Sequence, residues 1–138
     1  MGIDYGRRRI GVAVSDDGVI ARGFGVIDRQ KTPGYISELL RFIDNEKPSA
    51  IVCGLPLGAD DQETAMSKEA KEFALAIADK SKLPVHFIDE SFTSQKAAML
   101  MMHRKKKARR DKSLSDRIAA CLILQDYIDM GRSVTSEL

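Results

Sequence analysis

The chain has 138 residues, 43% of them hydrophobic and 30% charged, values that exclude a disordered or fibrous chain and predict one globular domain over residues 1–138. No apolar run approaches the ~20 residues of a membrane span, no secretory leader opens the sequence, and two distant cysteines make no disulfide framework; the expected setting is the cytoplasm, with no membrane partner. The net charge of +2 hides an uneven distribution. Arg104, Lys105, Lys106, Lys107, Arg109, Arg110 and Lys112 face only Asp111, a segment of charge +6, which leaves fifteen basic and nineteen acidic residues elsewhere, a body of −4.

Ile3–Tyr5 reads as a short strand, Gly6 as a turn and Ile10–Val14 as a second strand. Ser15-Asp16-Asp17-Gly18 carries turn chemistry, and Val19–Ile27 completes an antiparallel meander. Thr32-Pro33 opens a helix with Ile36, Leu39, Leu40 and Ile43 along one face. Ala50–Cys53 is a continuous apolar run of the kind buried on both faces of a sheet, and Gly54–Gly58 is a loop. Thr64–Lys80 is helical with a stripe of Ala70, Phe73, Ala74, Ile77 and Ala78; Val85–Ile88 is a fifth strand; a helix covers Ser94–Met102; and Leu114–Met130 is the last helix. The order βββαβαβαα is that of an α/β three-layer fold, and the helical connections imply parallel pairing of strands three with four and four with five.

Chemistry-bearing acids sit at element ends. Asp4 closes the first strand, Asp89 and Glu90 close the fifth, and Asp116 opens the last helix. Functional groups of open α/β sheets gather at the carboxyl ends of strands. If the last helix crosses that edge, carboxylates from distant parts of the chain converge into a hard-oxygen site for Mg²⁺ or Mn²⁺, and two such ions can clamp the oxygens of a phosphodiester under cleavage. Each acid also has a purely structural use: Asp4 in an Asx turn before Gly6, Asp89 or Glu90 in solvating a strand end, Asp116 in a capping-box-like pair with Ser113. Ala119 and Ala120 share the helix face of Asp116, and their small size permits close approach to the sheet. The basic segment and a smaller cluster, Arg7, Arg8 and Arg9, form a handle for a polyanion, the bland alternative being a solvated loop. Gly6-x₄-Gly11 is no phosphate-binding P-loop, since Val12 follows and the segment enters a strand. His86 and His103 lack a matched ligand partner, Cys53 and Cys121 read as small buried hydrophobes, and Met99, Met101 and Met102 as helix-packing residues.

Gly2-Ile-Asp-Tyr-Gly6, Arg9-Ile-Gly-Val-Ala-Val-Ser-Asp16, Val52-Cys-Gly-Leu-Pro56, Asp89-Glu-Ser-Phe-Thr-Ser94 and Asp116-x-x-Ala-Ala-x-x-Ile-Leu-Gln125 together resemble the YqgF family of RNase H-like nucleases, in order and over nearly the whole chain. That family is described as a pre-16S rRNA nuclease maturing the rRNA 5′ end, with an older label of Holliday junction resolvase. The resemblance implies a five-stranded mixed sheet, antiparallel over its first three strands, with helices on both faces. It implies catalytic, metal-holding acids at Asp4, Glu90 and Asp116, with Asp89 the alternate at the second position. Mg²⁺ or Mn²⁺ is the expected cofactor, two ions with substrate bound. The expected partner is nucleic acid, structured RNA of the pre-16S type before a DNA junction, held by Arg7–Arg9 and Arg104–Lys112, with the protein a monomer or homodimer. A non-catalytic RNA-binding module of ribosome assembly is the reading from a different class.

Two features depart from the family pattern. Ser91 stands where the family has Arg, removing a phosphate-contacting or ion-pairing cation that Arg117 or the basic run would have to replace. Met1 directly precedes Gly2 where family members carry a few more residues, so the central strand is short and an upstream start would lengthen it. The same Asp-x-Gly hairpin opens sugar kinases, actin and chaperone ATPases, but those close nucleotide between two such domains, a cleft that one domain of 138 residues does not form.

Overall fold

The computed structural model describes residues 1–55, 63–89 and 112–137, with side chains at 1–55, 63–88 and 116–130. Five strands, β1 (Gly2–Asp4), β2 (Arg9–Val14), β3 (Arg22–Asp28), β4 (Ile51–Leu55) and β5 (Val85–Asp89), form one sheet in the order β3-β2-β1-β4-β5. The β1/β2 and β2/β3 pairs are antiparallel, and β1/β4 and β4/β5 are parallel. The expected side-by-side pairing of the third and fourth strands is corrected. The chain leaves the edge strand β3, forms α1 (Tyr35–Glu46) and returns to the free edge of β1, so β4 lies beside β1. An apolar run such as Ile51–Cys53 shows that a strand is buried without showing which neighbour it takes.

Alternation along the strands divides the core into two layers. Ile3, Ile10, Val12, Val14 and Cys53 pack with Leu39 and Ile43 of α1 and with Ala70, Phe73, Ala74 and Ile77 of α2 (Ala65–Ser81). On the opposite face Ala13 and Val52 meet Ala120, Ile123 and Leu124 of α3 (Lys112–Glu137). On the α3 side the central strands contribute small residues, Gly2, Gly11, Ala13 and Val52, and α3 lies almost on the backbone. A Cβ added at Gly2 would come within 2.7 Å of the Leu124 Cβ, and one added at Gly23 within 3.4 Å of the Arg117 Cβ.

Element ends depart from expectation where side chains compete for the backbone. Asp17 accepts hydrogen bonds from the Val19 and Ile20 amides (2.8 and 3.0 Å), with Gly18 at φ 72°, so the turn runs on and β3 begins only at Arg22. Gln125 of α3 then takes the place of a sheet neighbour, accepting from the Ala21 amide (2.8 Å) and donating to the Val19 carbonyl (2.9 Å). Asp28 likewise holds the Gln30 and Lys31 amides, delaying α1 from Thr32 to Tyr35. Helix α2 starts where its sequence says, through a capping box in which Thr64 and Ser67 exchange side-chain bonds to backbone amides (3.0 and 2.7 Å). The loop from Pro56 and the helix expected over Ser94–Met102 lie outside the described residues. Among the described residues no helix is long and apolar enough to cross a membrane.

The Met1 nitrogen donates to the Ala50 carbonyl (3.0 Å), and the Val52 amide donates to the Met1 carbonyl (2.8 Å), which ties Met1 to β4.

Candidate active site

Asp4 ends β1, and its Cα partner across the antiparallel pair is Gly11. Opposed residues project to the same face of a sheet. The face is identified by Gly11, where an added Cβ would lie 2.3 Å from the Asp116 carbonyl oxygen and 3.4 Å from the Asp116 Cβ. Opposed Cβ positions lie about 5 Å apart, which puts the Asp4 and Asp116 Cβ atoms within roughly 9 Å of each other. The two acids thus meet at one end of the sheet because α3 crosses β2 at its one side-chain-free position there. The helix starts at Lys112, so Asp116 stands inside it, and its cap-like pairing with Ser113 is not the reason for its place.

Arg9 opens β2 on the same face, two residues from Gly11, and its Nε donates to Asp116 Oδ2 at 2.7 Å, with the two side chains only 26% and 23% exposed. Of the other members of the first basic cluster, Arg7 reaches across to Glu69 of α2 and holds that carboxyl below its usual range, while Arg8 remains exposed. Sequence reasoning treats these three arginines alike; alternation along β2 and the position of α2 give them different neighbours.

Arg29 is a positioning residue that no spacing announces. Its guanidinium lies over the rings of Tyr5 and Tyr35, 5.2 and 4.6 Å from their centroids. It donates to both hydroxyls and to the Gly6 carbonyl (3.0, 3.1 and 3.1 Å), clamping the turn that follows Asp4. Beside Asp116, Arg117 packs over Gly23, and its Nε is buried with no hydrogen-bond partner among the described residues. Cys53 is buried, and burial pushes the Cys121 thiol up, so neither is an activated nucleophile. His86 stacks on Tyr127 at 5.1 Å, away from the acids.

Asp89 ends β5, which lies two strands and about 10 Å from β1. Glu90, Ser91, Met99, Met101, Met102, His103 and the basic residues from Arg104 to Arg110 lie outside the described residues, as does the side chain of Lys112. The carboxylates of Asp4 and Asp116 are hard oxygen donors suited to Mg²⁺ or Mn²⁺. Among the described residues no group of three His, Cys, Asp or Glu side chains gathers closely enough to hold a metal; two members of the expected acid set are present and the third falls outside.

The sheet order, with one long helix across its small-residue face, defines an RNase H-like α/β protein. The same fold is seen in Thermus thermophilus RuvC, both in its complex with a Holliday junction substrate (TM-score 0.60, 21% identity, 94% of each chain covered) and in a second structure (TM-score 0.55, 19% identity, 94% of this chain and 95% of that one). The family model of RuvX, described as Holliday junction resolvase, matches residues 1–130, and the chain belongs to this RuvX/YqgF family. A relative from Crocosphaera subtropica is 36% identical over 134 residues, covering 96% of this chain and 94% of its own. One from Syntrophomonas wolfei is 38% identical over 135 residues, covering 95% and 94%. Both carry the name "Putative pre-16S rRNA nuclease".

Proposed function

We propose that this protein is a divalent-metal-dependent endonuclease that hydrolyses phosphodiester bonds of pre-16S rRNA in 5′-end processing during ribosome biogenesis. One observation carries the reading: Asp4 and Asp116, from opposite ends of the chain, share one face across Gly11, at the sheet edge where β1 ends. The names of the relatives, which match over nearly the whole chain, support the same class of activity and substrate. Free Cys53 and Cys121 suit the reducing cytoplasm, where rRNA matures.

In this reading Asp4, Glu90 and Asp116 hold Mg²⁺ or Mn²⁺, two ions when substrate is bound, and the metal supplies Lewis acidity to the phosphodiester oxygens. Glu90 is assigned before Asp89 on the resemblance of Asp89-Glu-Ser-Phe-Thr-Ser94 to the family motif. Arg29 fixes the turn after Asp4, so that this carboxylate is presented without reorganisation. Arg117 carries a guanidinium with no carboxylate partner among the described residues and stands beside Asp116, a place from which it takes over the phosphate contact that Ser91 does not make. Arg7, Arg8, Arg9 and Arg104–Lys112 position the strand through its phosphates.

Pre-16S leader RNA incubated with the purified protein, in Mn²⁺ and in chelator, tests the activity; cleavage in Mn²⁺ that chelator abolishes is the expected result. The RuvX description favours one second reading, cleavage of a four-way DNA junction. A junction cut in preference to the leader would move the assignment there, and because resolution cuts two strands, a strictly monomeric protein counts against it. Salt-sensitive RNA binding with no metal-dependent cleavage of either substrate would make the protein a binding module instead. Replacing Arg104, Lys105, Lys106 and Lys107 by Gln should weaken RNA binding and flatten the log–log salt dependence by about 0.7 for each phosphate that the variant no longer neutralises. The melting temperature should stay unchanged; fluorescence anisotropy across a salt series, paired with thermal denaturation, measures both.

A further inference from the structure

We propose that Arg9 is the resident counter-ion of Asp116: it occupies this carboxylate until a divalent cation replaces it, and so sets how tightly the site takes metal. The inference rests on the reading of Asp4 and Asp116 as metal-holding acids.

The pair joins the first residue of β2 to the second turn of α3, 107 residues apart, through a 2.7 Å bond from Nε to Oδ2. It is unlike the other arginine–carboxylate pairs among the described residues. Arg7–Glu69 and Arg22–Asp16, for example, are solvent-facing contacts that involve neither Asp4 nor Asp116, whereas about three-quarters of both Arg9 and Asp116 is covered. Water screens a pair at that depth poorly, so its attraction is stronger than that of a surface pair. A second carboxylate, Asp4, shares the same face.

A guanidinium does not deprotonate in proteins. Arg9 leaves Asp116 only by moving, and the long stem of an arginine on a strand end allows it to swing while β2 stays in place. Metal and guanidinium then compete for one carboxylate, and the apparent metal affinity is lowered by the strength of the Arg9–Asp116 bond. The sign distinguishes this role from simple support. Removing a purely structural support loosens a metal site, while removing a competitor tightens it.

The test is a Mn²⁺ titration of the metal-free protein, followed by the paramagnetic resonance signal of the free ion, on wild type, Arg9→Met, Arg9→Lys and Asp116→Asn. Thermal melts with and without Mn²⁺ accompany it. Arg9→Met should bind Mn²⁺ about tenfold tighter, the worth of one charge-assisted hydrogen bond. It should melt lower than wild type without metal and gain more from its addition. Arg9→Lys, which keeps the charge, should stay near wild type. Should Arg9→Met fail to fold, Arg9→Gln removes the charge but keeps a donor and should show the same tightening. Binding that wild type shows and Asp116→Asn loses, with neither uncharged variant tighter, overturns the role of Arg9 alone. Equal binding by wild type and Asp116→Asn overturns the metal reading of the site as well.

Discussion

Asp4→Asn should lower Mn²⁺-supported cleavage of pre-16S leader RNA by roughly a thousandfold while leaving the protein folded. The substitution is nearly isosteric, and what holds the turn after Asp4 in place is Arg29, through the Tyr5 hydroxyl and the Gly6 carbonyl, which it leaves untouched. What is lost is the negative charge at the end of β1, one of two carboxylates on this face and a large share of the affinity for a divalent cation. Single-turnover cleavage in saturating Mn²⁺ measures the effect, and a melting temperature close to wild type separates it from unfolding. Cleavage that persists at the wild-type rate in Asp4→Asn removes the proposed mechanism. Asp116→Asn should lose activity to a similar degree, with an added consequence: Arg9 loses its carboxylate and is left half-buried beside a neutral amide.

The second large effect concerns a residue with no chemistry of its own. Gly11→Ala should cost about 3 kcal/mol of stability, roughly 10 °C in Tm, and most of the activity. The new methyl would stand 2.3 Å from the Asp116 carbonyl oxygen and 2.9 Å from its carbonyl carbon. Both are backbone atoms of a helix, so no side-chain rotation relieves the overlap and α3 must move away from β2. That motion carries Asp116 away from Asp4 and from Arg9. Gly25, on the neighbouring strand, is the internal control: a Cβ there meets nothing within 4 Å, and its φ lies outside the left-handed region. Gly25→Ala should leave activity unchanged and stability equal or slightly raised. Thermal melts of both variants, together with cleavage rates, check the pair; a Gly11→Ala protein as stable and active as Gly25→Ala would show that α3 does not need its close seat on the sheet.

Much of this architecture is legible along the chain because local periodicity carries it. The stripe of Leu39 and Ile43 in α1, and that of Ala70, Phe73, Ala74 and Ile77 in α2, are buried where the 3.6-residue repeat puts them. The motifs opening at Gly2 and Asp116 also lead to the family that the comparisons identify. Boundaries are less legible where side chains act on backbone a few residues away. Asp17 shortens β3 by holding amides that periodicity assigns to that strand, Asp28 holds the Gln30 and Lys31 amides just ahead of α1, and Gln125 supports Val19 and Ala21 from 106 and 104 residues away in sequence.

The acids follow the same division. The residue types and their places at element ends are readable from the sequence by itself, since a strand end and a helix start are local features, and Asp4 and Asp116 are candidates on that ground alone. Their convergence is not readable, because it depends on how closely α3 sits on β1 and β2, and that depth is decided by the absence of side chains at Gly2 and Gly11, far from the helix in sequence. The charge pattern divides in the same way. Composition shows three adjacent arginines as one positive patch. The tertiary structure turns Arg7 to Glu69, leaves Arg8 in solvent and brings Arg9 to Asp116, because successive residues entering a strand leave it on different sides and only packing determines what each meets there.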